Sequence, residues 1–342
     1  MKPLVSILIP AYDSEGWISD TLRSAISQTW PNKEIIVVDD GSKDRTLEIA
    51  RRFTADGVQV ITQRNQGAAA ARNTAYEHSR GDYIQWLDAD DLLSPDKISI
   101  QVAKAEESGS KRTLISCGWS QFLYRYYRAK FEPTALWQDH LPVDWLMCKM
   151  SQNLHMQTAT WLVSRELTEA AGPWNTKLAC DDDGEYFCRV LLASDGVRFT
   201  PDARVYYRAS GAGSVSYIGS SNLKRDSQWD SMKMHIAYLR TLEDSPRTRS
   251  ASVSYIRNWL LFFYPERADL LDEMRKMAHE LGGEIQTPRL SWKYSWIEFL
   301  LGEKLGRRAQ FVLPRIKWSL LRLVDKFLFR LTNGDSSPLR TN

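Results

Sequence analysis

LVSILIPAYDSEGWISDTLRSAISQTWPNKEIIVVDDGS, residues 4–42, is the stretch that decides the fold. Residues 4–9 are an apolar run of the length of a buried strand. They lead into the polar turn Pro10-Ala11-Tyr12-Asp13. Within 17–28, Ile18, Leu22, Ala25 and Ile26 recur at helical spacing and predict a helix with one apolar face. Residues 34–38 are a second apolar strand, ending in Asp39-Asp40-Gly41-Ser42. Working outward, the spacing predicts a helix over 43–53 with Ser42 as its N-cap. A strand over 58–62, a helix over 68–79 opened by Gly67, and a strand over 82–87 follow. Strands separated by helices of this length take right-handed crossovers and build a parallel sheet. The alternation then loosens into a helix over 97–108 and an aromatic strand over 114–127. From Asn222 onward the chain reads as helical, punctuated by Pro246, Pro265, Pro288 and Pro314.

In an open α/β sheet, ligands bind beyond the carboxyl ends of the strands. Each predicted strand here ends in polar chemistry: Pro10 to Asp13, Asp39 to Ser42, Arg64-Asn65-Gln66-Gly67, and Asp88-Ala89-Asp90-Asp91. Any one of these is ordinary turn or cap chemistry, but four on one sheet edge make a site. The first turn lacks GxGxxG and GxxxxGK[ST], which excludes the dinucleotide and P-loop arrangements. Acidic strand ends suit a divalent cation that in turn holds phosphates. Mg²⁺ or Mn²⁺ takes one or two carboxylates plus substrate oxygens. Asp88 and Asp90 point the same way on an extended segment.

Three stretches, VSILIPAYDSEGWISDTLRSAISQTWPNKEIIVVDDGSKDRT (5–46), NQGAAAARNTA (65–75) and GDYIQWLDADD (81–91), together resemble the family 2 glycosyltransferases. The resemblance is strong over 3–97 and weaker to about residue 216. It implies a GT-A fold, a Rossmann-like mixed sheet flanked by helices, with a C-terminal helical extension. It divides the chain into a transferase domain over 1–220 (a nucleotide-sugar half, 1–97, and an acceptor half, 98–220) and an extension over 221–342. It also implies a nucleotide-sugar donor, most often a UDP-sugar. Pro10 and Tyr12 would line the nucleotide pocket. Asp39, with Asp40 beside it, would bond the base, and Arg72 would reach the base or the diphosphate. Asp88 and Asp90 would form the DxD motif, with Asp88 toward the ribose and cation and Asp90 as direct ligand of Mn²⁺ or Mg²⁺. Asp91 would support them.

An inverting sugar transfer needs a base for the acceptor hydroxyl. The family uses an acidic pair followed by a hydrophobic residue and an Arg, and Asp181-Asp182-Asp183-Gly184-Glu185-Tyr186-Phe187-Cys188-Arg189 resembles that pattern, with Asp-Asp replacing the usual Glu-Asp. Alignment on Arg189 puts the base at Asp183, with Asp182 as the alternative. Three acids also suit a helix N-terminus. His155 is a second base candidate, and Trp174 either stacks on a sugar or packs in the core. Tyr206-Tyr207-Arg208-Ala209-Ser210 resembles a family Tyr-Arg motif but lacks the His that usually follows, and Gly211-Ala212-Gly213-Ser214 reads as a lid over the diphosphate. The processive members' Gln-x-x-Arg-Trp motif is absent, which favours one sugar per encounter.

Composition agrees with a folded protein: 342 residues, 43% hydrophobic and 25% charged. The four cysteines form no CxxC pair and the five His do not cluster with them, so a zinc site is not expected and the thiols read as reduced. No segment reads as a signal peptide or membrane span. The net charge of +3 conceals an asymmetry. Residues 289–330 hold ten basic residues against three acidic ones, so a tail of +7 balances a body of −4. In 315–331, Ile316, Leu320, Leu323, Val324, Phe327 and Leu331 share one helical face and Arg315, Arg322, Lys326 and Arg330 the other. Trp292 and Trp296 precede them. A basic amphipathic helix rimmed by Trp suits an anionic membrane surface, or packs its apolar face on the domain.

The expectation is therefore a cytoplasmic, metal-dependent inverting glycosyltransferase, peripheral at the inner membrane face, with a lipid-linked glycan as acceptor and no nucleic-acid partner. Two other classes stay open. One is a nucleotidyltransferase, which would carry a basic Gly-rich first loop. The other is a catalytically silent scaffold on the membrane.

Overall fold

The computed structural model describes residues 2–209, 218, 221–286 and 291–332. Two sheets build the body of the protein. The first has the order β3-β2-β1-β4-β7. Strands β1 (Val5–Ala11), β2 (Lys33–Asp39), β3 (Val58–Thr62) and β4 (Tyr83–Trp86) run parallel, and β7 (Val163–Ser164) closes the edge antiparallel to β4. Helices α1 (Ile18–Ile26), α2 (Thr46–Arg51) and α3 (Ala68–Glu77) make the crossovers. Ala11 pairs with Asp39, and Asp39 with Thr62, so three strands end level. Leu8 pairs with Trp86, which brings Asp88 out beside them.

The second sheet has the order β5-β8-β6: β5 (Leu92–Leu93) and β6 (Thr113–Phe122) flank the long β8 (Gly196–Arg208). β8 is antiparallel to β5 and parallel to β6, so the architecture is mixed. Helix α4 (Lys97–Ser108) packs on this sheet. Side chains alternate across β1 and β2 into two buried clusters. Val5, Ile7, Ile9 and Val37 face α1, while Leu8, Ile36 and Val38 join Trp86 on the other side. The second cluster continues without a break through α5 (Pro142–Gln152), α6 (Arg165–Ala171) and α7 (Asp182–Ala193). It runs on into α8 (Asn222–Leu242), α9 (Pro246–Phe263) and α10 (Ala268–Glu280). The helices after residue 221 thus share the core of the body.

The structure departs from the sequence expectations in four places. Helix α2 starts at Thr46, not 43, because the Asp44 carboxylate accepts from the Thr46 N–H at 2.9 Å while Ser42 Oγ accepts from Asp13 N–H at 3.1 Å instead of capping. The strand expected to 127 ends at Phe122 and turns at Tyr126–Arg128. Pro314 does not end a helix. It lies inside α12 (Glu303–Thr332), which follows the short α11 (Ser295–Leu301). Strands β5, β7 and β8 carry no clear period-2 signal. The expected Gly211–Ser214 lid and Pro288 lie outside the described residues.

Candidate active site

The strand ends converge as the sequence indicates. Asp39 closes β2 and is 2% exposed. Its Oδ2 accepts from Ser42 N–H at 3.3 Å, while its Oδ1 is buried with no partner among the described residues. A buried carboxylate oxygen without a donor is costly, and a ligand N–H would relieve that cost. Asp40 has a different task. It accepts from Gln63 Nε2 (2.8 Å), Gln66 N–H (2.9 Å) and Gly67 N–H (2.8 Å), so it holds the loop after β3 rather than presenting itself to a ligand. Gly41 permits this turn. Its φ is +73°, and a Cβ there would meet the backbone N of Asn65 at 3.0 Å. Pro10 is buried within β1, and Tyr12 stands half-exposed after it.

Arg72 is buried on α3 and ion-pairs with two carboxylates at once, Asp88 through Nη2 and Asp182 through Nη1, each at 2.8 Å. Its guanidinium carbon also lies 4.3 Å from the centre of the Trp174 ring. The expectation of a direct nucleotide contact therefore meets a side chain already engaged with the protein. Trp174 is buried, stacked on Tyr186 at 4.1 Å and 8°, and offers no face to a sugar. Asn73, which the sequence reading did not single out, fixes it. Asn73 Nδ2 donates to the Trp174 carbonyl at 3.0 Å, and Trp174 N–H donates to Asn73 Oδ1 at 2.8 Å.

Asp88 and Asp90 are half-buried at the end of β4, and Asp91 is fully buried. Asp91 accepts from Arg208 N–H at 2.8 Å and from the Gln157 amide. Desolvation, reinforced by Asp90 and Asp88, pushes its carboxyl well above the usual range. Arg208, expected on the acceptor side, lies instead behind this loop. Its Nε donates to the Asp90 carbonyl at 2.8 Å, Nη2 contacts Asp20 at 3.3 Å, and its guanidinium carbon lies 4.5 Å from the centre of the Trp17 ring. Gln157 and Asp20 were not legible as site residues, since nothing local in the sequence distinguishes a long-range brace. No group of three His, Cys, Asp or Glu side chains is set for a metal among the described residues. Asp88 and Asp90 fit a Mg²⁺ or Mn²⁺ ion that draws its remaining ligands from phosphates and water.

Across from this edge, the N-terminus of α7 carries the acidic trio. Asp181 adopts φ +58°, and its carboxylate accepts from Gln228 Nε2 at 3.0 Å and from Ser231 Oγ, both on α8. Asp182 is committed to Arg72. Burial pushes its carboxyl up to about 6 against the pull of Arg72, with Asp183 adding to the rise. Among the described residues Asp183 has only a 3.4 Å contact from Thr158 Oγ1. It lines a cavity of about 250 Å³ with Lys149, His155, Trp161, Tyr255 and Trp259, so α5, α7 and α9 all contribute walls. Arg189 is not at the cavity. It pairs with Glu185 at 2.7 Å and donates to the Pro173 carbonyl at 2.8 Å, pinning the loop that carries Trp174.

Residues 6–157 match the family model described as glycosyl transferase family 2. Over this stretch, somewhat under half of the chain, the sequence is that of a family 2 glycosyltransferase domain. An uncharacterized glycosyltransferase of Rickettsia felis is 26% identical over 313 residues, covering 87% of this chain and 50% of that protein. TuaG of Bacillus subtilis, named for a role in teichuronic acid biosynthesis, is 39% identical over 104 residues, 30% of this chain and 41% of its own length. The chain spans between about a fifth and a half of the length of the curated relatives it matches. Among solved structures, S. aureus TarS 1–349 in complex with UDP-GlcNAc superposes with a TM-score of 0.65 at 16% identity, covering 82% of this chain and 80% of that one. The mannosyltransferase PcManGT of Pyrobaculum calidifontis, in complex with GDP-Man and Mn²⁺, gives 0.51 at 17% identity, with 97% and 88% covered. The glycosyltransferase domain thus has the mixed α/β fold of GT-A enzymes, with a helical C-terminal region.

Proposed function

We propose that the chain transfers one sugar from a nucleotide sugar, a UDP-sugar first among candidates, to an acceptor hydroxyl with inversion. The acceptor in this reading is a glycan intermediate of surface polysaccharide assembly, carried on a lipid at the inner membrane face. The observation that carries it is the contrast within the acidic trio. Asp181 and Asp182 have their carboxylates engaged by Gln228, Ser231 and Arg72, while the Asp183 carboxylate, on the same cavity as Asp181, meets only the 3.4 Å contact from Thr158 among the described residues. A carboxylate so placed accepts the proton of an acceptor hydroxyl as that oxygen attacks the anomeric carbon from the side away from the diphosphate. The unpartnered Asp39 Oδ1 takes an N–H of the base, and Tyr12 covers the nucleotide. Arg72 holds Asp88 and Asp182 at fixed separation, which keeps donor and acceptor in register. A Mn²⁺ or Mg²⁺ ion held by Asp90 and Asp88 would supply neutralisation of the leaving nucleoside diphosphate. The donor found with TarS is UDP-GlcNAc and the ion found with PcManGT is Mn²⁺, and both lend support.

Calorimetric titration with UDP, with and without Mn²⁺, tests the donor site, and hydrolysis of UDP-, GDP- and dTDP-sugars identifies the donor. Asp183→Asn should keep UDP binding and lose transfer by about a hundredfold or more. Transfer that survives this substitution moves the base to Asp182 or His155. Absence of nucleotide binding under any condition overturns the reading.

A further inference from the structure

The C-terminal helices present an inversion of the usual surface helix. An amphipathic helix on a globular protein buries its apolar stripe and shows its polar side to water. In α12 the polar side chains Arg322, Asp325 and Lys326 face the body. Asp325 accepts from Tyr124 N–H at 2.9 Å and ion-pairs with Arg125 at 2.6 Å, and the charged groups of Arg322 and Lys326 lie about 6 Å from the centre of the Tyr124 ring. The opposite stripe is open: Leu320 is 58% exposed, Leu323 64% and Phe327 62%. The preceding segment repeats the pattern, with Trp292 80% and Phe299 88% exposed. So contiguous an apolar face is an interaction surface.

We infer that α11 and α12 form a docking face for an anionic lipid bilayer. Charge selects this occupant. Residues 289–330 carry a net charge of +7 in a chain of net charge +3, and Lys293, Arg308, Lys317 and Arg330 are exposed around the apolar residues. Exposed Trp beside Lys and Arg is the composition that inserts shallowly among acidic headgroups. A second copy would bring two such basic segments together. No helix among the described residues is long and apolar enough to cross a membrane, so the contact lies along the surface.

The attachment point ties this face to the donor edge. The Tyr124 ring lies 5.6 Å from that of Trp17, which stacks on Arg208, and Arg208 donates from Nε to the Asp90 carbonyl and from its N–H to the Asp91 carboxylate. A bilayer bound along α12 is thereby held at a fixed distance from the acidic loop. The inference rests on the tail alone and stands whether or not the acceptor is lipid-linked.

Sedimentation of the full chain with phosphatidylcholine vesicles, and with vesicles containing phosphatidylglycerol, tests it. Binding should require phosphatidylglycerol and fall with salt. Lys317→Glu or Arg330→Glu should weaken it about fivefold each, the equivalent of about 1 kcal/mol per basic residue. Leu323→Asp with Phe327→Asp should abolish it while leaving UDP binding intact, which separates this failure from failure of the transferase reading. No binding to phosphatidylglycerol vesicles overturns the inference, whether the protein is then a monomer or a dimer joined through the same face. Equal binding to both vesicle types overturns the charge selection.

Discussion

Arg72 Nη1 stands 2.8 Å from Asp182 Oδ2, joining side chains that are 110 residues apart in the chain. The same guanidinium holds Asp88 at 2.8 Å, so one buried cation links the end of β4 to the start of α7. Only a planar fork satisfies two carboxylates in this way. Arg72→Lys should therefore keep the charge but lose the bridge, with kcat down about a hundredfold from misplacement of the two halves. Arg72→Ala leaves two carboxylates without their cation and should cost about 3–5 kcal/mol of stability, read from urea unfolding. Wild-type kcat in Arg72→Lys would show that the bridge has no part in turnover.

Asp39→Ala removes the orphaned oxygen proposed to receive the base. It should weaken UDP binding by about 1.5–3 kcal/mol, the worth of a hydrogen bond to a charged group. Folding should lose little, because Oδ1 has no partner among the described residues and the one bond lost is the long 3.3 Å contact from Ser42 N–H. Calorimetry with UDP against CDP would show whether the effect follows the base.

Ser231 holds Asp181 from α8, outside the nucleotide-binding half. Ser231→Ala should lower kcat severalfold through a looser α7 N-terminus while leaving the donor KM unchanged. Ser231→Thr, which keeps the hydroxyl, should restore part of the loss. An equal rise in donor KM would place the effect elsewhere.

Lys97 gives a pH prediction. Its amine is fully buried against the Gln85 side-chain oxygen and 3.4 Å from the Trp161 carbonyl, and burial lowers its pKa to about 7. In the unfolded chain it returns to 10.5. The unfolded state thus binds more protons between these values, so this group adds stability as pH rises from about 7 toward 10.5 and withdraws it as pH falls back. The melting temperature of wild type minus that of Lys97→Met should increase over that interval. A flat difference would show that Lys97 stays charged in the fold.

Much of the donor side was legible because it is local. The alternation of apolar runs and helical faces in 4–87 depends on neighbours in sequence, and the acids sit at the strand ends where the topology requires them. The roles of individual residues were less legible. Asp40 and Asp39 are adjacent and chemically identical, and only the fold reveals that one is spent on Gln63, Gln66 and Gly67. The tasks of Arg208 and Gln157 depend on contacts with Asp90 and Asp91 across 66 to 118 positions, which no local pattern encodes. Strand β8 was missed for a related reason. It lies between two partners and reads irregularly, because its pairing with β6 shifts at Cys117/Gly118.

The anchorage of Asp181 to α8 has an evolutionary corollary. The family match ends at residue 157, while the acidic trio, its support from α8 and most walls of the cavity lie beyond it. In the reading proposed above, donor handling and acceptor handling fall in separate stretches of the chain, which leaves each open to change without the other. An exchange of residues 158–286 between two such enzymes should carry the choice of acceptor with it and leave the choice of nucleotide behind.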